Sequence, residues 1–148
     1  FIKASAQVGQ VIVDLPTITP STATPTGLSA TASVGTVTTT GVTITQTFAV
    51  TVANPGSGNK YYIDGVQQAT VNLTEGNTYR FDQSDGTNSG HPLRLSTTSD
   101  GTHSGGSQYT TGVTTTSSYT QITVAVGAPT LYYYCTNHSG MGGQANTP

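Results

Sequence analysis

Short runs in which apolar side chains alternate with threonine, serine or small residues recur along this chain. The clearest is residues 47–52, where Phe48, Val50 and Val52 fall on one face and should line a core. Similar runs follow at 61–73, 74–81, 91–98, 119–126 and 130–135. Asn-Pro-Gly and Asp-Gly turn signals lie between them. Short strands at regular spacing with such turns predict a β-sandwich.

Changes in composition divide the chain into three segments. Residues 1–25 end in PTITPSTATP and are interpreted as an extended arm with a Pro-rich linker, which either packs on a neighbouring subunit or frays. Residues 26–46 are predicted to be a Thr/Val-rich β segment, and residues 47–148 the sandwich itself. Within the sandwich, the glycine- and threonine-rich stretch 99–118 is predicted to be a long loop.

Charge is scarce along the whole chain. Charged residues make up 7% of it, against roughly 25% of an average soluble domain. Together with the abundance of threonine and glycine, this excludes a coiled coil or a helical bundle. The formal net charge is −2 with four Lys and Arg in total, so we expect no basic patch and no nucleic-acid partner. Since no apolar run approaches the ~20 residues that cross a bilayer, no membrane partner is expected either.

Candidate chemistry is concentrated near the C-terminal end, in the run YYYCTNHSGMGG. Cys135, His138 and Met141 follow an apolar strand with two residues between each pair, and His91 lies at the start of an earlier strand. A thiolate, two imidazoles and a thioether are the donors of a mononuclear copper site with a trigonal His₂Cys plane and a weak axial Met. The alternative for a lone cysteine is a buried apolar filler. His103, in GTHSGG, is interpreted as a solvated loop residue rather than a ligand.

The runs TEGNTYRFDQSDGTNSGH and YYYCTNHSGM resemble the ligand-bearing segments of the cupredoxins, the type 1 or blue copper proteins. The resemblance covers about residues 47–145. It implies an all-β, cupredoxin-like Greek-key β-sandwich that binds one type 1-like copper ion. The metal ligands that it implies are three equatorial residues and one axial residue: His91, Cys135 and His138, with Met141 axial.

Two further residues have roles in this interpretation. The carbonyl of Gly90, which directly precedes the first histidine, is a candidate weak axial ligand from the opposite side. Tyr133 lies two residues before Cys135 on the same strand, so both should share the inward face. Tyr134 should then point outward.

Two longer phrases, YYIDGVQQATVNLTEGNTYRFDQSDGTNSGHPLRLSTTSDGTH and APTLYYYCTNHSGMGG, resemble a domain that recurs in structural proteins of tailed phages of marine cyanobacteria. This resemblance implies a structural or decoration protein on the capsid or tail surface of a bacteriophage virion, and hence an extracellular location. Residues 1–25 would bind neighbouring virion proteins, and the chain would be oligomeric in a lattice.

Two other functional classes fit the sequence less well. A soluble blue-copper one-electron carrier, located in a bacterial periplasm, is the alternative, but residues 101–148 carry no charge with which to steer a redox partner. An enzyme is not expected, and no catalytic residue is assigned. Three histidines in total cannot build the clusters of multicopper enzymes, and four aspartates lie in turn-like contexts: Asp64, Asp82, Asp85 and Asp100.

Overall fold

The structure of the protein, a computed structural model, describes residues 5–7, 10–12 and 41–147. The chain divides into two units, Phe1–Thr38 and Thr39–Pro148. In the first unit, β1 (Ser5–Gln7) and β2 (Gln10–Ile12) form an antiparallel pair. The predicted linker and most of the predicted 26–46 segment lie outside the described residues. Of that segment the structure describes residues 41–46, and only the last of them, Gln46, is in a strand.

Residues 41–147 of the second unit are all-β, with ten strands and two short 3-10 helices. Their bounds are β3 (Gln46–Ala53), β4 (Lys60–Ile63), β5 (Val66–Gln67), β6 (Val71–Asn72), β7 (Thr78–Asp82), η1 (Gly86–Asn88), β8 (Leu93–Ser96), η2 (Gly101–Ser104), β9 (Val113–Thr115), β10 (Tyr119–Thr123), β11 (Leu131–Cys135) and β12 (Gly143–Asn146). No helix in the described ranges is long and apolar enough to cross a membrane.

The strands of the second unit form two mixed sheets. The first sheet has the order β5-β4-β3-β7-β10-β9, and the second has the order β6-β12-β11-β8. Each sheet contains one parallel pair, β3 beside β7 in the first and β6 beside β12 in the second, and the other pairs are antiparallel. The prediction of an all-β, sandwich-like fold from alternation and turn signals is therefore confirmed.

The hydrophobic core draws its side chains from both sheets. Phe48 and Val50 of β3 are buried, as their alternation predicts, and Val52 packs partly buried against the core. The ring of Phe81 in β7 lies 6.0 Å from that of Tyr133 in β11, centroid to centroid. Aromatic pairs of this kind contribute about 0.5–1.5 kcal/mol beyond their buried area. This contact therefore ties the two sheets together at the middle of β11.

The predicted Asp-Gly turn joins β4 to β5. Asp64 and Gly65 have φ values of 50° and 82°, positive values that aspartate and glycine tolerate better than other residues. The Asp64 carboxylate accepts a hydrogen bond from Ala49 N at 2.8 Å. The turn is thus fixed to the neighbouring strand β3.

Two features of the second half of the chain differ from the sequence-based prediction. The stretch 99–118 contains η2 and the strand β9, which pairs with β10. That strand is three residues long, too short for its alternation to stand out in a threonine-rich run. A final strand, β12, pairs with both β11 and β6. Its sequence GQAN lacks β-branched and aromatic residues, so pairing on both sides, rather than intrinsic propensity, makes it a strand.

Candidate metal centre

The candidate site lies at one end of the second sheet, where β11 ends and a short loop leads into β12. Cys135, the last residue of β11, is fully buried. Its Sγ lies 3.9 Å from Nδ1 of His91 and 3.7 Å from Nδ1 of His138. The donor atoms of the three residues all lie within 4.8 Å of one another. The fold thus brings the predicted thiolate together with both predicted imidazoles, although His91 is 44 residues away in sequence.

The separations between these donor atoms suit a single metal ion. An ion that binds sulfur at about 2.3 Å and nitrogen at about 2.05 Å, with trigonal angles, holds the two donors roughly 3.8 Å apart. The observed distances of 3.9 and 3.7 Å from sulfur to nitrogen are close to this value. Copper and zinc both accept one thiolate and two imidazoles. The three residues could therefore hold a metal ion without a large rearrangement.

His91 is held by both its ring and its backbone. Asn59 Nδ2 lies 3.3 Å from His91 Nε2. The His91 carbonyl accepts hydrogen bonds from Tyr61 OH at 2.7 Å and from Gln83 Nε2 at 2.8 Å. The residue is 9% exposed, and desolvation, followed by the charge of His138, lowers the pKa of its ring. A metal binds the neutral ring, so burial favours the ligating form.

His138, by contrast, is exposed to solvent. Its ring lies 4.5 Å from that of His91, centroid to centroid, with 44° between the ring planes. A groove of about 460 Å³ opens beside it. The groove is lined by Ser57, Gly58, Asn59, Lys60, His103, Asn137, His138, Ser139 and Met141. Solvent therefore reaches the donor group through His138, while the cysteine lies beneath the surface.

Met141 is fully buried and lines the same groove. Its carbonyl accepts a hydrogen bond from Tyr61 N at 2.9 Å, which fixes the end of the loop to β4. Glycine is required directly after it, because a Cβ on Gly142 would lie 1.7 Å from the carbonyl oxygen of Tyr133. The absence of a side chain at Gly142 therefore lets the backbone pack directly on β11, where β12 begins one residue later. The axial role of Met141 stays a prediction.

The two remaining predicted residues flank the donor group. Gly90 has a φ of 77°, and its carbonyl accepts a hydrogen bond from Asn137 Nδ2 at 2.9 Å. Its role as a weak ligand stays a prediction. Tyr133 lies buried with Cys135 in the core, and its hydroxyl donates to the carbonyl of Ala69 at 2.7 Å. Burial raises the pKa of Tyr133, so the hydroxyl stays a neutral donor.

Tyr134 is fully buried, contrary to the expectation that it points outward. The helix η2 covers it: a Cβ on Gly101 would lie 2.5 Å from its ring. His103 meets the ring at 6.4 Å with an interplanar angle of 85°. The Tyr134 hydroxyl has no hydrogen-bond partner among the residues that the structure describes. The helix η2 belongs to the stretch 99–118, which the sequence predicts to be a loop, and the composition of a loop does not indicate which side chains it buries.

His103 is exposed, as expected of a loop residue, and lies outside the three-donor group. Its Nε2, however, is 2.9 Å from the carbonyl oxygen of Cys135. The sequence does not predict this contact, because no local pattern links the loop GTHSGG to a strand 32 residues later. Only the packing of η2 on β11 brings the two residues together.

Asn59 and the first two residues of β4, Lys60 and Tyr61, contact the site, and none of them is a candidate residue from the sequence. Asn59 contacts the His91 ring, and Lys60 Nζ donates to the Gly140 carbonyl at 2.6 Å. Tyr61 binds one ligand segment through its amide and the other through its hydroxyl. In the sequence these residues only follow a glycine turn. Lys60 also places a positive charge in the groove, which the uncharged C-terminal sequence does not indicate.

The arrangement could hold one metal ion through one sulfur and two nitrogens, with a buried methionine in the adjoining groove. A centre of this composition binds soft or borderline ions. Comparison with known proteins adds no family, since no family model, curated protein or solved structure matches this chain.

Proposed function

We propose that residues 47–148 form a cupredoxin-like, Greek-key domain that binds one type 1-like copper ion. The observation that carries the proposal is the convergence of three donor atoms within 4.8 Å at one end of a two-sheet fold. His91, Cys135 and His138 would be the equatorial ligands, and the buried Met141 the axial one. A bound copper ion would supply one-electron redox chemistry. The chain itself orients the donors and shields the thiolate from water.

The donor set favours copper over zinc. Structural zinc sites are closed tetrahedra, often with two or more cysteines, whereas a thioether is a soft donor that suits copper. The distances of 3.7 and 3.9 Å from Cys135 Sγ to the two Nδ1 atoms suit either ion, so the preference for copper rests on the thioether of Met141.

Titration of the purified protein with Cu(II) tests this proposal. We expect an intense blue charge-transfer band and a copper content of about one ion per chain, because a thiolate in a trigonal plane is the source of that band. Cys135→Ser should abolish both. His103→Gln is the matched control, since it removes a histidine that contacts the site but is not a donor. A colourless wild-type protein, or copper binding unchanged in Cys135→Ser, would refute the assignment.

We further propose that the chain is a structural or decoration protein of a bacteriophage virion, with this domain displayed on the particle surface. The support is the resemblance of residues 61–103 and 128–143 to a domain of tailed-phage structural proteins. The charge content of 7% also suits a module that is assembled rather than freely diffusing. Residues 1–25 would bind the neighbouring virion proteins.

Removal of residues 1–25 tests the assembly part of the proposal. The truncated chain should keep the thermal unfolding midpoint of the intact domain and fail to co-sediment with particles, because the arm and not the sandwich makes the contacts. Full-length Cys135→Ser is the control and should still enter particles. Incorporation of the truncated chain at the level of the intact one would count against the arm.

A soluble electron carrier is the second candidate function, and one observation favours it: the exposed His138 opens onto a groove through which a redox partner could approach. That groove holds one charged side chain, Lys60, among its lining residues. Carriers generally steer their partners with charge. Cyclic voltammetry of the copper-loaded protein tests this second function. An electron carrier requires a reversible one-electron wave, so the absence of such a wave would exclude it.

A further inference from the structure

Three residues other than glycine have a left-handed backbone conformation in the described part of the second unit. Asp64, Gln68 and Asp100 have φ values of 50°, 47° and 59°. This region is unfavourable for side chains with a Cβ, and such residues persist only where the surrounding structure fixes them. Asp64 is explained by its hairpin turn. Gln68 and Asp100 need another explanation.

The side chains of Gln68 and Asp100 both reach the loop that carries Met141. Asp100 precedes η2, but its side chain makes no capping hydrogen bond to that helix. Its Oδ1 instead accepts a hydrogen bond from Gly140 N at 2.9 Å. Gln68 Nε2 donates to the Gly142 carbonyl at 2.5 Å and lies 3.3 Å from the Gly140 carbonyl. The two residues on either side of Met141 are thus held by two strained residues from elsewhere in the chain.

The peptide groups of Gly140 are held from both directions. Its amide donates to the Asp100 carboxylate, and its carbonyl accepts from Lys60 Nζ at 2.6 Å. Gly140 itself has a φ of 68°, a conformation that glycine adopts freely and that other residues resist. Without these partners, a stretch containing Gly140, Gly142 and Gly143 would sample many conformations.

We propose that Asp100 and Gln68 are positioning residues that fix the loop around Met141 before any metal binds. The proposal rests on the proposed copper function for the consequence at the metal, but the clamp itself is a property of the metal-free protein. Fixed neighbours would hold the thioether at a defined distance from the Cys135–His91–His138 plane. The strength of a weak axial ligand tunes such a site, so loosening the loop should alter its spectrum.

Hydrogen exchange of the Gly140 amide in the full-length, metal-free protein tests the clamp directly. In Asp100→Gly the backbone keeps its left-handed conformation without strain, but the acceptor is lost. We expect the Gly140 amide to exchange about tenfold faster or more. Asp64→Gly is the matched control, since it removes an aspartate of the same conformation and the same kind of backbone hydrogen bond away from the loop. Exchange at Gly140 should not change in that variant.

The copper-loaded protein gives the second readout. Asp100→Gly and Gln68→Gly should each shift the visible bands and the copper hyperfine splitting, while Asp64→Gly should match the wild type. Asp100→Asn should restore the wild-type spectrum, because asparagine tolerates the left-handed conformation and its Oδ1 can accept from Gly140 N.

The outcomes separate this proposal from the copper assignment. If the wild type binds no copper, the copper function fails, and the clamp is then decided by Gly140 exchange alone. Unchanged exchange in Asp100→Gly overturns the clamp, whether or not copper binds. Equal acceleration in Asp64→Gly also overturns it, because the effect would then be a general loss of stability.

Discussion

The two histidines of the candidate centre are held in opposite ways. His91 is 9% exposed, its ring contacts Asn59, and its carbonyl accepts hydrogen bonds from Tyr61 and Gln83. His138 lies in an exposed loop. Within residues 41–147, its ring has one polar contact, which is with Cys135 Sγ. The same residue type is thus a fixed part of the fold at one position and an accessible donor at the other.

This difference indicates separate roles for the two sides of the site. A buried polar ring needs protein partners, whereas an exposed ring exchanges hydrogen bonds with water. The His91 side should therefore be preformed by folding, together with the buried Cys135. An incoming ion would meet His138 first, through the groove.

The largest effect is expected when each imidazole is removed in turn. In His138→Gly, the exposed groove leaves room for a free imidazole, so the blue band should vanish and return when imidazole is added. In His91→Gly the space is buried, and the band should stay absent. Visible spectra of both copper-loaded variants, with and without imidazole, measure the difference.

The control for this pair is the fold of each metal-free variant. A cooperative thermal transition in His91→Gly separates a lost ligand from a lost structure. Equal rescue of both variants by imidazole would mean that the two positions are equally accessible, and the contrast between them would be wrong.

Asn59 sharpens the comparison, because it contacts the ring of the buried histidine alone. Because Nδ1 faces the cysteine, His91 would carry its proton on Nε2 when Nδ1 binds a metal, and Nε2 would then need an acceptor. The structure places Asn59 Nδ2 at the ring, and a reversal of the amide would put its Oδ1 there as the acceptor. Loss of such a partner typically lowers metal affinity about 10–100-fold. We expect a decrease of this size in Asn59→Ala and retained affinity in Asn59→Asp, measured by competition with a chelator.

A remote asparagine provides the matched control for that measurement. Asn72 pairs with Asn146 on an exposed part of the second sheet, so Asn72→Ala should leave copper affinity unchanged. Equal losses in the two alanine variants would show that Asn59 acts through general stability and not through the His91 ring.

The sequence predicts those parts of the molecule that local patterns determine. Alternation and the Asp64–Gly65 turn predict the strands and their hairpin, because side-chain period and turn conformation are properties of a few neighbouring residues. The spacing of Cys135, His138 and Met141 likewise lies within one loop. His91 is distant, and its recognition rests on the resemblance and on the ligand chemistry rather than on spacing.

The contacts that sequence analysis misses all depend on segments that meet only in the folded chain. Asn59 and Tyr61 contact the candidate ligand segments because the start of β4 passes beside both of them. The sequence predicts Asp100 to be a turn residue, yet its carboxylate accepts a hydrogen bond from Gly140 N, 40 residues away. Tyr134 alternates correctly with its neighbours, but alternation reports only which face a side chain occupies. Whether that face is covered depends on η2.

The smallest effect concerns Tyr61, whose hydroxyl fixes the backbone of the buried histidine. Burial, followed by the neighbouring Cys135, raises the pKa of Tyr61, so the hydroxyl stays protonated and donates to the His91 carbonyl. In Tyr61→Phe this carbonyl keeps its bond from Gln83, so no acceptor is orphaned, and the free energy of unfolding should fall by about 1 kcal/mol. Tyr62→Phe is the control, because it removes an exposed hydrogen bond to Gln67. Urea unfolding of the metal-free proteins measures both. A loss in Tyr62→Phe as large as that in Tyr61→Phe would mean that the backbone of His91 is no more firmly held than the protein surface.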